Sequence, residues 1–125
     1  MISHAELVES TFGYWPEFSD GRIELFSFEQ PGIICLRIFY IDSQIDKAAT
    51  VTLQFTGVTD VDLSELRKEN VVDALSVSEA SPFLVTIEAC YGLGGTFVCT
   101  SVEVAAVVPN PSFEADGYAA AQLKR

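Results

Sequence analysis

Apolar and polar residues alternate with a period of two between Thr50 and Val58, which makes this the clearest pattern in the chain. The apolar set comprises Val51, Leu53 and Phe55, and the polar set comprises Thr50, Thr52, Gln54 and Thr56. Successive side chains of a strand point to opposite faces, so this alternation predicts a strand with one buried and one solvated face.

Four further stretches resemble strands in their apolar and β-branched content. They are Arg22–Phe28, Ile33–Ile41, Phe83–Tyr91 and the long final run Thr96–Val108. Ile33–Ile41 is apolar on both faces except at Arg37, which predicts a central strand that is covered on both sides. Residues 71–78 fit a helix or a strand, and we favour a short strand near Leu75 and Val77.

Two serine- or aspartate-led motifs have the spacing of helix capping boxes. Ser3-His4-Ala5-Glu6 predicts a helix whose apolar face continues to Phe12, and Gly13 is the residue type that ends helices in a left-handed conformation. Asp62-Leu63-Ser64-Glu65 predicts a second, short helix over Leu63–Lys68.

Short connections between successive strands favour antiparallel pairing. The fold class is therefore α+β: a mostly antiparallel twisted β-sheet, half-barrel or sandwich-like, with an N-terminal helix and a short middle helix. Residues 1–111 are expected to form a single mostly-β domain, because Pro109-Asn110-Pro111 ends the last strand pattern. Residues 112–125 are expected to form a loosely held C-terminal tail.

Composition narrows the choice of partner. The chain has 125 residues, a hydrophobic fraction of 49% and a formal net charge of −11. This charge disfavours binding to nucleic acid or to an anionic membrane, and it favours a basic protein partner. Lys and Arg are absent before Arg22 and between Lys68 and Lys124. A solvated acidic surface that only aids solubility is the alternative interpretation.

The chain offers little for catalysis or for a cofactor. Its one histidine, His4, lies near the N-terminus, and its three cysteines show no metal-binding or disulfide spacing. Asp60 begins a pattern like a calcium loop, but Glu65 stands where that loop needs glycine. We expect no catalytic residues, no metal and no cofactor. An odd number of cysteines without disulfide spacing and the lack of a signal-peptide pattern favour the cytoplasm.

The stretch from Phe12 to Gly21 concentrates aromatic residues and contains the only tryptophan, Trp15. One interpretation is that Trp15 and Phe18 close an open end of the sheet as part of the core. The other is that they form a partly exposed aromatic anchor for a partner. Asp20 has a short carboxylate of the kind that accepts bonds from backbone N–H groups in turns.

The sequence Phe-Gly-Tyr-Trp-Pro-x-Phe-x-Asp in this stretch resembles the opening motif of the immunity protein 50 family, and weaker similarity continues to about Pro109. The matching residues are Tyr14, Trp15, Pro16, Phe18 and Asp20. In that family the second phenylalanine is usually followed by His-Asp-Ala. Here Ser19 replaces the histidine and Gly21 the alanine, so a role that needed an imidazole is not expected.

The resemblance implies a bacterial immunity protein that binds and neutralises a cognate polymorphic toxin domain. It does not single out a contact surface, so candidates come from charge. The expected partner-binding residues are Asp42, Asp46, Asp60, Asp62 and Glu65, with further acidic side chains after Lys68. The alternative function is that of a β domain without enzymatic activity, which binds a small ligand in the curve of its sheet.

Overall fold

A computed structural model describes residues 2–110, which form one helix and eight strands. These elements are α1 (Glu6–Phe12), β1 (Arg22–Glu29), β2 (Ile33–Asp42), β3 (Lys47–Thr56), β4 (Thr59–Ser64), β5 (Val71–Val77), β6 (Phe83–Tyr91), β7 (Gly94–Cys99) and β8 (Ser101–Pro109). The predicted tail, residues 112–125, lies outside the described residues. No helix among the described residues has the length and apolar character needed to cross a membrane.

All eight strands belong to one open sheet with the order β4-β7-β6-β5-β1-β2-β3-β8, and every neighbouring pair is antiparallel. The sheet curls so that its two halves, β4-β7-β6-β5 and β1-β2-β3-β8, face each other. Phe55 of β3 meets Phe97 of β7 edge to face, with ring centroids 5.0 Å apart, and both side chains are fully buried. The predicted antiparallel sheet and N-terminal helix are thus confirmed.

Helix α1 ends as predicted but begins differently. Gly13 has φ 87° and its N–H donates to the Glu9 carbonyl, which closes the helix. The predicted capping box is wrong, because Ser3 is engaged elsewhere: its N–H donates to the Val102 carbonyl and its own carbonyl accepts from Val104, both at 2.9 Å. These bonds hold Ser3 against β8, so the helix starts from Ala5 without a side-chain cap.

The alternation in β3 predicted its two faces correctly. Val51, Leu53 and Phe55 are fully buried, whereas the alternate polar residues are partly exposed. The expectation that β2 is covered on both faces is wrong. Helix α1 packs against the inner face, where Phe12 contacts Tyr40, and Ile41 on the outer face is 37% exposed. The apolar residues of β2 therefore did not indicate that both of its faces are buried.

The chain bends sharply at one corner of the sheet, once between β3 and β4 and once between β7 and β8. Gly57 follows β3 with φ +65°, and a Cβ on it would lie 2.2 Å from the Thr100 hydroxyl, so only glycine fits here. The Thr100 N–H donates to the Thr56 carbonyl at 2.9 Å across the corner. Residues 96–108, predicted as one strand, are therefore two strands, β7 and β8, separated at Thr100.

The predicted middle helix over Leu63–Lys68 is not present. Asp62, Leu63 and Ser64 pair with Thr96, Gly95 and Gly94 of β7 and form the edge strand β4. Pairing with a strand thirty or more positions later has therefore overridden the local capping pattern. Residues 71–77 are a strand, which agrees with the interpretation we favoured.

The two halves of the sheet join through very little regular pairing. β1 and β5 share a single register pair, Arg22 with Val71, whereas β2 and β3 pair along ten positions. The Ile23 N–H adds a bond to the Asn70 carbonyl at 2.9 Å. Other contacts must therefore hold the halves together, and the segment before β1 supplies them, as described below.

Asn70 is the one buried polar residue among those described, and its amide organises two loops. Its Oδ1 accepts from the N–H groups of Arg67 at 3.0 Å and Leu93 at 2.9 Å, and its Nδ2 donates to the Arg67 carbonyl at 2.9 Å. One side chain thus fixes the loop before β5 against the turn between β6 and β7.

Replacing Asn70 with Ala should destabilise the fold by about 1–3 kcal/mol, because the buried N–H of Leu93 loses its acceptor. The measurement is the midpoint of urea unfolding. Glu69→Ala is the matched control at an exposed neighbouring position, where we expect a change within about 0.5 kcal/mol. Equal midpoints for Asn70→Ala and the wild type would contradict the role of this amide.

Candidate functional site

The stretch with the family motif is the loop between α1 and β1, and its aromatic rings form a connected cluster. Phe12 and Phe18 both pack edge to face on Tyr40 of β2, with centroid distances of 5.2 and 5.4 Å. Trp15 packs on Phe18 in the same way at 5.9 Å. The loop is thus anchored to the inner face of the sheet by its own side chains.

The motif residues divide into a buried set and an exposed set. Pro16 and Phe18 are buried, Trp15 is half-buried, and Tyr14 and Asp20 are exposed. Phe18 is fully buried although its φ is +60°, a left-handed conformation that costs about 1–2 kcal/mol for a residue with a side chain. Full burial of the ring offsets this cost. Of the two interpretations given above, the role in the core fits Phe18. Trp15 is half-buried, so part of its surface can still contact a partner.

The backbone of the same loop joins the two halves of the sheet. The Asp20 N–H donates to the Val72 carbonyl at 2.7 Å, and the Val72 N–H donates to the Gly21 carbonyl at 2.8 Å. The Leu75 N–H reaches the Glu17 carbonyl at 2.8 Å. The motif segment therefore continues β1 along β5 where regular strand pairing is lacking.

Asp20 contributes through its backbone conformation. Phe18 to Gly21 forms a turn, closed by the Gly21 N–H on the Phe18 carbonyl at 2.8 Å, with Asp20 at φ 65°. Its carboxylate makes no hydrogen bond within residues 2–110, so the expected acceptance of backbone N–H groups is not seen. Gly21 is buried, and a Cβ on it would lie 2.8 Å from Ile38 Cγ2, which gives the departure from alanine a steric reason.

Tyr14 links the motif to Asp42, one of the predicted contact residues. The Tyr14 hydroxyl donates to Asp42 Oδ2 at 2.5 Å and lies 3.0 Å from the Tyr40 hydroxyl. Two contacts raise the pKa of Tyr14 well above its usual range. The hydrogen bond to the Asp42 carboxylate has the larger effect, and the hydrogen bond with Tyr40 has the smaller one. Asp42 Oδ1 accepts from the Gln44 N–H at 3.0 Å, so both carboxylate oxygens are engaged within the protein.

The other predicted contact residues are exposed and lie at opposite ends of β3. Asp46 is in the β2–β3 turn, whereas Asp60 and Asp62 are on β4 and Glu65 follows it. Ten residues of β3 separate the two groups, which corresponds to about 30 Å along an extended strand. Within residues 2–110, Glu65 is the one of these four that forms an ion pair, with Arg67 at 2.5 Å. The two groups therefore do not form one patch.

A groove open to solvent lies between α1 and the turn that connects β5 to β6. Its volume is about 470 Å³, and we call it the Trp15 groove. Its lining residues are Ile2, Ala5, Glu6, Glu9, Trp15, Ser78, Glu79 and Phe83. The groove has an apolar lining and an acidic rim, and it places Trp15 beside glutamates that sequence reasoning did not select.

A signal for the groove is nevertheless present in the sequence. Its lining residues all come from positions 2–15 and 78–83, which fall within the two long segments without Lys or Arg. What the sequence could not show is that the fold places these two segments side by side. Among the described residues, no group of His, Cys, Asp and Glu side chains has a geometry that could hold a metal ion.

These features define a class: a small acidic domain built on one open antiparallel sheet, with an aromatic groove beside its N-terminal helix. Residues 4–110 match the family described as Immunity protein 50, and the chain belongs to this family. The resemblance drawn from the motif is thus confirmed. The chain has no significant match among curated proteins or among solved structures.

Replacing Phe18 with Ala should destabilise the protein by about 3–5 kcal/mol, because a fully buried ring would leave a cavity at the junction of the two sheet halves. The matched control is Phe28→Ala, since Phe28 is 52% exposed. Urea unfolding followed by far-UV circular dichroism measures both. A loss for Phe18→Ala no larger than the loss for Phe28→Ala would be inconsistent with the core role.

Tyr14→Phe should cost about 0.5–1 kcal/mol at pH 8, because Asp42 loses a hydrogen bond at a partly exposed site. The raised pKa means that the folded state keeps the Tyr14 proton to higher pH than the unfolded chain does. The wild-type advantage is therefore complete below about pH 10 and shrinks as pH rises above it.

Unfolding midpoints of the wild type and Tyr14→Phe at pH 8 and pH 11 test this prediction. Tyr91→Phe is the control, because Tyr91 is also an exposed tyrosine. An advantage of the wild type over Tyr14→Phe that stays constant across this range would show that the Tyr14 bond does not titrate as proposed.

Proposed function

We propose that this chain is an immunity protein that binds a cognate toxin domain and blocks its active site or a surface near it. Membership of the immunity protein 50 family over residues 4–110 is the observation that carries the proposal. The proposed mechanism is surface complementarity without catalysis. The proposed site of action is the bacterial cytoplasm, where a toxin that attacks nucleic acid would meet its target.

The charge of the chain supports this function. A domain that binds nucleic acid presents a basic surface to phosphates, and an acidic protein can compete for the same surface. The net charge of −11 also produces a field that steers a basic partner before contact and raises the rate of association. These arguments favour a basic toxin.

The exposed acids Asp46, Asp60, Asp62 and Glu65 fit the steering part of this proposal. They are solvated, so they influence the encounter with a partner more than the final affinity. Asp42 differs from them, because Tyr14 and the Gln44 N–H occupy its carboxylate. We therefore assign steering to the four exposed acids and a stabilising role to Asp42.

The alternative function, a ligand held in the curve of the sheet, has less support. That curve is filled by side chains, among them the fully buried Phe55, Phe97, Leu36 and Leu53. Two recesses lie at the surface of the described residues: the Trp15 groove, and a recess of about 270 Å³ beside Phe28 and Val58. Neither is an enclosed apolar pocket of the kind that typically buries a small ligand.

Surface binding kinetics against the toxin domain encoded beside this chain test the proposal. We expect tight binding whose on-rate falls steeply between low and high salt, because exposed charges are screened over about 8–10 Å at physiological ionic strength. Neutralisation is measured in parallel as the loss of toxin activity when equimolar protein is added.

The backbone conformation of the exposed acids determines which substitutions can test their role. Asp46 and Asp60 have φ 55° and 53°, so Asp46→Asn and Asp60→Asn remove charge while keeping a residue that tolerates this conformation. Both variants should lower the on-rate and leave dissociation nearly unchanged. Glu88→Gln is the control for net charge alone. If both proteins are folded but do not bind, the immunity function is wrong, and a salt-insensitive on-rate would remove only the steering.

A further inference from the structure

The Trp15 groove combines features that suit one kind of occupant. Its lining includes the half-buried Trp15 and the buried Phe83, together with the apolar Ile2 and Ala5. The Trp15 ring rests by an edge-to-face contact on Phe18, which is fully buried and fixed by its own packing. Trp15 is therefore held in a defined position, so binding against it requires little ordering of the side chain.

The rim of the groove carries negative charge that cations within residues 2–110 leave largely unneutralised. Glu6, Glu9 and Glu79 are exposed there, and neither Glu9 nor Glu79 forms an ion pair with any described residue. Glu6 has only His4, whose Nδ1 lies 3.7 Å from the carboxylate. Glu6 and Glu9 also stand three residues apart on one short helix, where like charges repel. A cationic group from outside would relieve this repulsion.

An arginine side chain suits both the aromatic wall and the acidic rim of the groove. Its guanidinium is planar, stacks on aromatic faces and presents donors that carboxylates accept in pairs. A cation over the face of a tryptophan is attracted to the ring, most strongly where water is excluded. A lysine would supply the charge as a compact ammonium and would use the flat wall less well. The groove is open to solvent and has a volume of about 470 Å³, so a side chain can enter it from a partner.

We propose that the Trp15 groove receives an arginine from a basic segment of the partner protein, held between the Trp15 ring and the carboxylates of Glu9 and Glu79. This inference rests on the proposed function, because it names the close contact within that complex. The exposed acids at the two ends of β3 govern the approach, and the groove governs the lifetime of the complex.

The first experiment measures binding of the toxin domain to Glu9→Gln and Glu79→Gln. Each variant should lower the affinity about tenfold or more, mainly through faster dissociation, because charge-assisted hydrogen bonds in a close contact are lost. Glu88→Gln removes the same charge on the exposed face of β6 and should change the affinity less than threefold. Trp15→Leu, which keeps an apolar side chain without an aromatic face, should also speed dissociation.

The second experiment needs no toxin. Trp15 is the only tryptophan in the chain, so incorporation of 5-fluorotryptophan places a single fluorine at the groove. The probe is the peptide acetyl-Gly-Arg-Gly-amide, and the control is the same peptide with citrulline, a neutral isostere of arginine. The ¹⁹F shift should move with the arginine peptide, should hardly move with citrulline, and should respond less in Glu79→Gln.

The two experiments separate failure of the groove from failure of the function. If the toxin domain binds the wild type and the groove variants equally, the groove assignment is wrong while the immunity function stands. If the toxin domain does not bind but the fluorine responds to arginine in a carboxylate-dependent way, the groove assignment stands and the immunity function fails. A fluorine signal that responds equally to arginine and citrulline overturns the groove assignment.

Discussion

The junction between the two halves of the sheet depends on the segment of residues 17–23. β1 and β5 share only one register pair, so the joint relies on backbone bonds from Glu17, Asp20 and Gly21 to β5. Phe18 holds this segment in place from within, because its ring is buried against Tyr40. The left-handed conformation of Phe18 costs about 1–2 kcal/mol, and burying such a ring gives about 1.5–3 kcal/mol. The packing is therefore sufficient to maintain the strained backbone.

This arrangement gives the family motif two roles that meet in one loop. Phe18 and the backbone around Asp20 stabilise the junction. Trp15, three positions before Phe18, packs on Phe18 and lines the groove. Tyr14 adds a third connection by donating to Asp42 at the β2–β3 turn. A substitution in the motif can therefore change stability and binding together, which is why the glutamates on the groove rim are the cleaner probes of binding.

Features that depend on nearby residues could be predicted from the sequence. Gly13 marked the end of α1, and the alternation in β3 identified its buried face. Predictions failed where distant residues competed with a local pattern. Ser3 is paired with Val102 and Val104 instead of capping the helix, and Asp62 is paired with Thr96 instead of starting one.

The division of residues 96–108 into two strands could not be predicted, because Thr100 is as compatible with a strand as its neighbours are. The break arises from its contact with Gly57, more than forty positions earlier. The groove raises the same difficulty. Trp15 and Glu79 lie far apart in sequence, and only the folded sheet brings them to one surface.

The position of β8 sets the order in which this protein can fold during synthesis. β2 and β3 form a local hairpin that can pair as soon as both have been made, but β3 waits for its second neighbour until Ser101–Pro109 emerge from the ribosome. Until then the backbone N–H and C=O groups along one side of β3 are unpaired, and an unpaired strand edge makes a nascent β protein prone to aggregate. Helix α1 precedes β1 in the chain but packs on β8 and β3, so it docks fully only after β8 has been made.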